Sequence, residues 1–462
     1  MKVFRAFDRK QLSELDEDNE QSLERKLDAA ASAFAHRDSW LKPYQRIEIL
    51  RKLAQLMEGK RDHLARQIAS EDGKPLTDAL VETDRAIDDV RNANEILRTT
   101  GGREIPMGIT PPSDGRWAFT VREPIGVVAA VSAFNHPLNL IVHQVVPAIA
   151  VGCPVIIKPA PPTPLSCIEF IALAHEAGLP EEWCQTLLTE NNELAQKLVT
   201  DPRVAFFSFI GSSRVGWYLR SLLAPGTRCA LEHGGAAPAI IDKNADLDRV
   251  IEPLVKGGYY HAGQVCVSVQ RIFVHADLER TFVDRFAARV AALKVGDPLM
   301  LETEVGPLIL PREADRVTAW IEEASAGGAK IIGGGRLSET TLLPAIVIHP
   351  PSGSRVATQE VFGPVTCVSA FAKLEDAIGA ANALPTAFQS SIFTEDLPAA
   401  LYAAERLDAS TVCINDHTAF RTDWMPFAGR RQSGYGIGGI PATMHDMTQE
   451  KMIVFRPHLS KS

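Results

Sequence analysis

The feature that most constrains the fold is a repeated alternation of short apolar segments with helical ones in the first half of the chain. Strand-like runs occur at 126–133, 154–158, 185–188, 204–209 and 228–231, with helical spacing between them at 140–151, 165–176, 192–199 and 213–223. Apolar strands that alternate with helices form parallel sheets covered on both faces. The alternation therefore predicts an α/β fold.

A second series of the same kind begins at Pro238 and includes strand-like segments at 271–274, 329–332 and 365–371. The chain has 462 residues, whereas a single hydrophobic core stops growing at roughly 250–300 residues. We therefore expect two α/β domains, joined near Gly234 and Gly235. Two further strand-like segments, 117–122 and 451–457, lie outside both series.

The charge and the cysteine content exclude several classes of protein. The formal net charge is −9 and the chain has no basic run, so a nucleic-acid partner is not expected. The seven cysteines include no C-x-x-C pair, and their spacing fits neither a disulfide framework nor a zinc site. We therefore expect no bound metal and a reducing, cytoplasmic location.

No membrane anchor is expected. Residues 1–20 are rich in charge and lack the apolar run of a signal peptide. Residues 138–157 are mostly apolar and about as long as a membrane span, but polar residues and the prolines Pro147 and Pro154 interrupt them. This stretch instead predicts a helix followed by a short buried strand.

Three polar residues stand where an α/β sheet keeps its active site. Asn135 follows the segment 126–133 and Glu232 follows 228–231, so both are expected at the carboxyl ends of strands. Cys266 ends the sequence Gly-Gln-Val-Cys, after a helical run and before a strand-like segment. A thiol, a carboxylate and an amide in such positions can supply a nucleophile, a base and an oxyanion donor.

These residues lie within a series of motifs that spans nearly the whole chain. The motifs are Pro124-x-Gly126-Val127, Phe134-Asn135-x-Pro137, Lys158-Pro159-Ala160, Phe209-x-Gly211-Ser212 with Gly216, Glu232-x-Gly234-Gly235, Gly263-Gln264-x-Cys266, Glu360-x-Phe362-Gly363-Pro364, Pro426-Phe427 and Ser433-Gly434. Together, and in this order along the chain, they resemble the aldehyde dehydrogenase superfamily.

The resemblance implies a division into domains. A Rossmann-like cofactor domain would comprise residues 1–108 and 125–233, and a catalytic α/β domain with the nucleophilic cysteine would comprise 234–438. A small β element for oligomerisation would comprise 109–124 and 439–462. This element implies that the protein is a homodimer or a homotetramer.

The resemblance also implies a reaction, the NAD(P)-dependent oxidation of an aldehyde to a carboxylic acid. Cys266 would attack the aldehyde and carry first a thiohemiacetal and then a thioester. The side-chain amide of Asn135 and the backbone N–H of Cys266 would hold the oxyanion. Glu232 would activate the water that hydrolyses the thioester.

The residues that bind the cofactor follow from the same resemblance. Lys158 and Glu360 are expected at the two riboses, and Ser212 is expected near the phosphates because it lies between a strand and the N-terminus of a helix. The complete set implied is Lys158, Pro159, Ala160, Gly211, Ser212, Glu360 and Phe362.

One departure from the family pattern leaves the choice of cofactor open. Many NAD-linked members have a glutamate directly after Lys-Pro-Ala, whereas this chain has Pro161. The change removes a carboxylate that would bind the adenosine ribose and repel a 2′-phosphate. We expect NAD as the cofactor, with NADP as the alternative.

A glycine-rich segment near the end of the chain, 434–439, is similar to a nucleotide-binding loop. A loop of that kind follows a strand and opens a helix, but no strand-like segment precedes this one. We interpret it as a turn-rich segment near the mouth of the active site.

Three residues are candidates for binding the substrate. His136 follows Asn135, Arg421 precedes the Pro-Phe turn at 426–427, and Arg85 lies in a helical segment at 80–91. Each also has a structural interpretation, a hydrogen-bonded loop histidine or a salt bridge. The segments 134–144 and 263–268 resemble the branch of phosphonoacetaldehyde, phosphonoformaldehyde and lactaldehyde dehydrogenases, which implies a small anionic aldehyde of the phosphonate type.

Three other functions stay open at this point. The substrate could be lactaldehyde or a general aliphatic aldehyde. The enzyme could be a CoA-acylating dehydrogenase, in which a thiol replaces water, although Glu232 as a base for water argues against it. A non-catalytic protein on the same scaffold is the third possibility, and the combination of Cys266, Glu232 and Asn135 argues against that one.

Overall fold

The computed structural model describes residues 1–457, which form two large sheets and three small ones. Five strands of the first large sheet are parallel, and a short sixth strand, Gly434–Tyr435, pairs antiparallel with the last of them. The parallel strands lie in the spatial order Cys184–Thr186, Val155–Lys158, Val127–Val131, Val204–Ile210 and Arg228–Glu232. The strand order therefore reverses between the first and fourth strands in sequence, which creates the crevice where such sheets bind ligands.

Alternate residues of the central strands pack into different cores, which explains why these strands are apolar throughout. Val128 and Ala130 belong to one buried cluster, whereas Val127 and Ala129 belong to another on the opposite face. Helices cover both faces. The helices of this half and its N-terminal extension are Glu20–Ala35, Pro43–Gly59, Arg61–Asp72, Leu76–Leu97, Asn139–Val151, Leu165–Glu176, Asn192–Thr200 and Ser213–Ser221.

The predicted elements of this half are confirmed within two residues at each end. The apolar stretch 138–157 divides as predicted into the helix Asn139–Val151 and the strand Val155–Lys158. Among residues 1–457, no helix has both the length and the apolar character that crossing a membrane would require.

The second large sheet has seven strands, of which all but one edge strand are parallel. Their spatial order is Lys330–Gly333, Ala345–Ile348, Val365–Phe371, Val269–His275, Ala237–Ile241, Gln389–Phe393 and Thr411–Ile414. Its helices are Leu247–Tyr259, Glu279–Ala291, Pro311–Ala326, Arg355–Thr358, Leu374–Asn382 and Leu397–Arg406. The fold is therefore the predicted pair of α/β units.

A three-stranded sheet joins distant parts of the chain. Trp117–Pro124 lies between Glu104–Ile105 and Thr448–Phe455, and the helix Ile440–Asp446 precedes the last strand. The strand Glu104–Ile105 comes from the range 1–108, which the sequence assigned to the cofactor domain. The domain boundaries remain a prediction, and residues 458–462 of the predicted oligomerisation element lie outside the described residues.

Two small ribbons complete the sheets. Lys2–Phe4 pairs with Gln11–Glu14, and Thr386–Ala387 pairs with Arg430–Arg431.

Candidate active site

One cavity of about 740 Å³ lies at the carboxyl ends of the parallel strands. Val131, Ile210 and Glu232, each the last residue of its strand, line it from the first sheet. Cys266 and Asn135 line it as well. The three residues predicted to carry the chemistry therefore meet in one cavity, while their individual roles remain predictions.

A strained turn precedes Cys266. His261 and Ala262 have φ values of 51° and 54°, in the left-handed region that disfavours side chains, and Gly263 follows with φ 71°. A Cβ atom at Gly263 would lie 2.1 Å from the carbonyl oxygen of Gly363, so only glycine fits there. Such a conformation persists only where the surrounding structure imposes it.

Burial raises the pKa of the Cys266 thiol to about 12, and the carboxyl groups of Glu360 and Glu232 add to this effect. The positive charge of Arg421 acts in the opposite direction. Burial also raises the pKa of Glu232, which brings that carboxyl group closer to the range in which a general base works.

Asn135 is held in place by two hydrogen bonds. Its side-chain Nδ2 donates to the carbonyl oxygen of Gln264 over 2.9 Å, and its own carbonyl oxygen accepts from Nζ of Lys74 over 2.8 Å. A primary amide has two N–H donors. One of them remains for an oxyanion in the cavity.

The cavity continues towards Glu360 and Phe362. The Glu360 carboxylate accepts from the N–H of Gly235 over 3.1 Å, and a Cβ atom at Gly234 would lie 1.7 Å from its Oε1. Burial raises the pKa of Glu360 to about 7. The Gly-Gly sequence thus lets the carboxylate pack directly against backbone.

The other predicted cofactor residues are close to this part of the cavity or line it. Gly211, Ser212 and Ala160 line it, whereas Lys158 and Pro159 are buried beside it and do not. Ser212 is the N-cap residue of the helix Ser213–Ser221, but its side chain makes no capping hydrogen bond. Its hydroxyl is therefore available to a ligand at the helix N-terminus.

Two arginines line the cavity near Cys266. Arg85 binds the Asp423 carboxylate through two hydrogen bonds of 2.7 and 2.6 Å. Arg421 lies 3.4 Å from the same carboxylate, and its guanidinium stacks 3.6 Å above the ring of Phe427. Both arginines therefore have the predicted structural ion pairs, and both face the cavity as well.

A histidine and a second carboxylate lie behind the arginines. His143 Nε2 is 2.7 Å from Asp423 and 3.1 Å from Asp89. Although burial opposes it, contact with the two carboxylates raises the pKa of His143 to about 9. Asp89, His143 and Asp423 have the spacing of a metal site, but Arg85 and Arg421 already bring positive charge there, so we interpret the trio as part of an ion-pair network.

His136 lines the cavity, but both ring nitrogens have partners within the protein. Nδ1 is 3.0 Å from Nζ of Lys74, and Nε2 is 3.2 Å from the hydroxyl of Tyr260. Burial and the charge of Lys74 lower the pKa of His136 to about 3, so the ring is neutral. These contacts favour the structural interpretation of His136.

The glycine-rich segment at 434–439 lies beside Glu232, but it begins with the short strand Gly434–Tyr435 and leads into the helix Ile440–Asp446, so it is less purely a turn than predicted. Gly434 pairs with Glu232 in the sheet, and Gly438 packs against the Glu232 side chain.

The sequence analysis missed four residues of the site. Tyr260 lines the cavity, and Lys74, His143 and Asp423 support groups that do. Lys74 is far in sequence from Asn135 and His136, and Asp423 is far from Arg85 and His143, so no local pattern identifies these contacts. Tyr260 and His143 lie close to segments that the sequence did single out, and their polar character within apolar surroundings was the available signal.

Comparison with known proteins agrees with this geometry. The aldehyde dehydrogenase family model matches residues 1–453, so the chain belongs to the aldehyde dehydrogenase family and is an NAD(P)-dependent dehydrogenase by class. A 3-sulfolactaldehyde dehydrogenase from Priestia aryabhattai is 36% identical over 92% of this chain and 89% of its own. A lactaldehyde dehydrogenase from Methanocaldococcus jannaschii is 35% identical over 89% of this chain and 88% of its own.

Solved structures show the same fold. Aldehyde dehydrogenase 21 from Physcomitrella patens, in complex with succinate, superposes with a TM-score of 0.95 and 32% identity, covering 99% of this chain and 95% of that one. Glyceraldehyde-3-phosphate dehydrogenase from Methanocaldococcus jannaschii, in complex with NADP, superposes with a TM-score of 0.94 and 32% identity, covering 99% of both chains.

Proposed function

We propose that this protein oxidises a short aldehyde bearing a sulfonate, phosphonate or carboxylate group to the corresponding acid, with NAD(P) as the oxidant. One observation carries the proposal: Arg85 and Arg421 share a single cavity with Cys266 and Glu232. Guanidinium groups bind such anions through charge-assisted hydrogen bonds. An aldehyde anchored there by its anionic end would present its carbonyl carbon to the thiol.

The first half of the reaction is the attack of Cys266 on the aldehyde. Because the pKa of the buried thiol is about 12, its proton must leave before or during the attack. The free N–H of the Asn135 amide stabilises the oxyanion of the thiohemiacetal, an interaction worth roughly 3–4 kcal/mol. When bound, the oxidised nicotinamide supplies a hydride acceptor.

The second half is hydrolysis of the thioester on Cys266. Glu232 takes a proton from water, whose oxygen attacks the acyl carbon, and the carbon–sulfur bond then breaks to release the acid. The raised pKa of Glu232 suits a group that must accept and return a proton near neutral pH. A role for water here, rather than CoA, is what distinguishes this proposal from an acylating dehydrogenase.

The residues present fit NAD(P). The crevice where the strand order reverses lies next to Ser212, the N-cap residue of the helix Ser213–Ser221. The Ser212 side chain makes no capping hydrogen bond, and a helix N-terminus of this kind is suited to binding phosphates. At the far end, the Glu360 carboxylate packed on Gly234 can accept from ribose hydroxyls. The absence of a carboxylate at Pro161 supports tolerance of a 2′-phosphate, and the NADP complex of the similar Methanocaldococcus enzyme supports the same conclusion.

The relatives favour an anionic substrate but not the phosphonate in particular. The relative from Priestia is named for a sulfonated aldehyde, and the Physcomitrella structure holds succinate. Lactaldehyde, the substrate for which the Methanocaldococcus relative is named, is the second candidate. The two arginines favour the anionic class because both line the cavity, and Asp423 uses only Nε and Nη2 of Arg85, so that Nη1 has no acceptor among residues 1–457.

The exposed face of the three-stranded sheet supports a homodimer or homotetramer. Its edge strand Thr448–Phe455 leaves Met452 and Phe455 more than half exposed, beside Trp117 on the next strand, which is 71% exposed. An apolar edge of this kind is normally covered by a partner.

We also propose that the enzyme works in a reducing compartment, the cytoplasm, because its seven cysteines are all free thiols.

A steady-state assay tests the proposal. NADH or NADPH formation would be measured with a two-carbon aldehyde bearing a sulfonate, its phosphonate analogue and neutral propanal, each with and without CoA. We expect the anionic aldehydes to have a kcat/KM at least tenfold above that of propanal, without any need for CoA. Equal turnover of propanal, or dependence on CoA, would contradict the proposal.

A further inference from the structure

We propose that His233 is a positioning residue for the cofactor: its ring holds the carbonyl group of Gly211 so that the N–H of Ser212 is directed to the diphosphate of NAD(P). The inference rests on the proposed function, in that it takes the phosphates to bind at Ser212, and it does not depend on which aldehyde is oxidised. His233 acts through the backbone and not on the reacting atoms.

The ring of His233 lies where three elements of the first large sheet and its helices meet. His233 is 2% exposed and directly follows the strand Arg228–Glu232. Its ring centroid is 5.6 Å from that of Phe209 and 6.0 Å from that of Trp217. A Cβ atom at Gly216 would lie 2.1 Å from Cε1 of the ring. The helix that carries Gly216 and Trp217 can therefore pack on the ring only because residue 216 is glycine.

One polar contact distinguishes the ring from an apolar side chain of similar size. Nδ1 lies 2.9 Å from the carbonyl oxygen of Gly211, and since a carbonyl oxygen only accepts, Nδ1 donates. Burial lowers the pKa of His233, although hydrogen bonding to the backbone of Gly211 and Glu232 opposes this effect. The ring is therefore neutral at pH 7, with its proton on Nδ1. Nε2 has no hydrogen-bond partner among residues 1–457.

Both polar groups of Gly211 are held by the end of the neighbouring strand. Its N–H donates to the carbonyl oxygen of Glu232 over 3.0 Å, and its C=O accepts from His233. The peptide bond that follows is trans, and the C=O and the N–H of a trans peptide point in opposite directions. The N–H of Ser212 therefore points away from the ring, and it has no backbone acceptor within the described part of the chain.

This unpaired N–H lies where the phosphates are proposed to bind. Ser212 lines the cavity and stands at the start of the helix Ser213–Ser221, whose first N–H groups have no acceptor within the helix. Phosphate oxygens accept from such groups. Without the bond from His233, the peptide between Gly211 and Ser212 is free to rotate, and the diphosphate loses a donor of fixed direction.

Binding without turnover tests the inference. The dissociation constants of NAD, ADP and adenosine would be measured by isothermal titration calorimetry for the wild type, His233→Leu and His233→Asn. Leucine cannot donate a hydrogen bond, whereas the asparagine amide has an N–H donor that can replace Nδ1. We expect His233→Leu to bind NAD and ADP about fivefold more weakly. Adenosine, which has no diphosphate, should bind unchanged, and His233→Asn should recover most of the affinity.

His175→Leu is the matched control. Nε2 of His175 lies 2.9 Å from the carbonyl oxygen of Cys184, so this variant removes the same kind of hydrogen bond from the same half of the chain, away from the cavity. We expect a lower Tm and unchanged dissociation constants. Gly216→Ala displaces the ring while the histidine is retained, and it should also weaken ADP binding. It provides the comparison if His233→Leu does not fold.

The possible outcomes separate the inference from the proposal on which it rests. Wild-type affinity for ADP in His233→Leu would overturn the inference. Equal weakening in His233→Leu and His233→Asn would also overturn it, because packing and not the hydrogen bond would then be responsible, and so would an equal loss of affinity for adenosine. A wild type that binds adenosine as tightly as ADP would instead contradict the proposed binding of the phosphates at Ser212.

Discussion

Gly438 packs directly against the carboxylate of Glu232: a Cβ atom built at position 438 would lie 1.9 Å from Oε1 of Glu232 and 2.8 Å from the carbonyl oxygen of Phe427. The glycine-rich segment at 434–439 thus serves the active site by its small size. It leaves the space in which the proposed base lies, rather than binding a nucleotide.

Gly438→Ala should therefore displace the Glu232 carboxylate and slow hydrolysis. We expect the steady-state rate to fall by about 10- to 100-fold, less than the roughly 100- to 10,000-fold that a general base contributes, because the base is displaced rather than removed. Gly379→Ala, in a helix where a Cβ atom meets nothing within 4 Å, is the matched control. Unchanged turnover in Gly438→Ala would mean that Glu232 does not need its present position.

Glu232→Gln should separate the two halves of the reaction. If Glu232 activates water for the thioester, the variant will still form the acyl-enzyme and release one equivalent of NAD(P)H in a burst before it stalls. Stopped-flow absorbance at the NAD(P)H band measures both phases. Loss of the burst as well would assign Glu232 to activation of Cys266 instead.

Cys266 should react as a thiol with a high pKa. Burial raises that pKa to about 12, so the fraction of Cys266 present as thiolate should rise about tenfold per pH unit between pH 6 and 9. The rate of alkylation by iodoacetamide, measured in the enzyme without cofactor, should rise in the same proportion. Arg421→Ala should slow alkylation, since Arg421 lowers this pKa. Cys266→Ala is the control, and it should fold and bind cofactor but give no turnover.

Arg421→Ala should raise KM for anionic aldehydes selectively. A hydrogen bond to a charged group contributes about 1.5–3 kcal/mol, so we expect KM for the sulfonated aldehyde to rise roughly ten- to a hundredfold. Propanal should be nearly unaffected. Arg421 is a better probe than Arg85, whose loss would leave Asp423 without its bidentate partner. An equal effect on both aldehydes would assign Arg421 to structure alone.

The oligomer should depend on the apolar edge of the three-stranded sheet. Light scattering of the wild type at micromolar concentration should give the mass of a dimer or tetramer. Ile453→Glu, which places a charge on the strand Thr448–Phe455, should shift the mass towards that of the monomer. Leu401→Glu, an exposed position in the helix Leu397–Arg406, should not. A stable wild-type monomer would contradict the prediction.

Local patterns were sufficient to predict the five parallel strands of the first sheet and the helices between them. Strands such as Val127–Val131 are apolar on both faces because both faces are buried, and a pattern of that kind is visible in the sequence alone. The strained turn at 261–262 was not predicted, because neither histidine nor alanine favours a left-handed backbone and only the tertiary packing imposes it.

The amino-acid sequence by itself determined the α/β fold, the family and the three residues expected to carry the chemistry, since each depends on residue type and on order along the chain. Only the tertiary structure decided which charges meet around the substrate. Arg85 and Asp423, or Lys74 and His136, lie far apart in sequence, and their pairing depends on how helices and loops from different parts of the chain pack at one sheet edge.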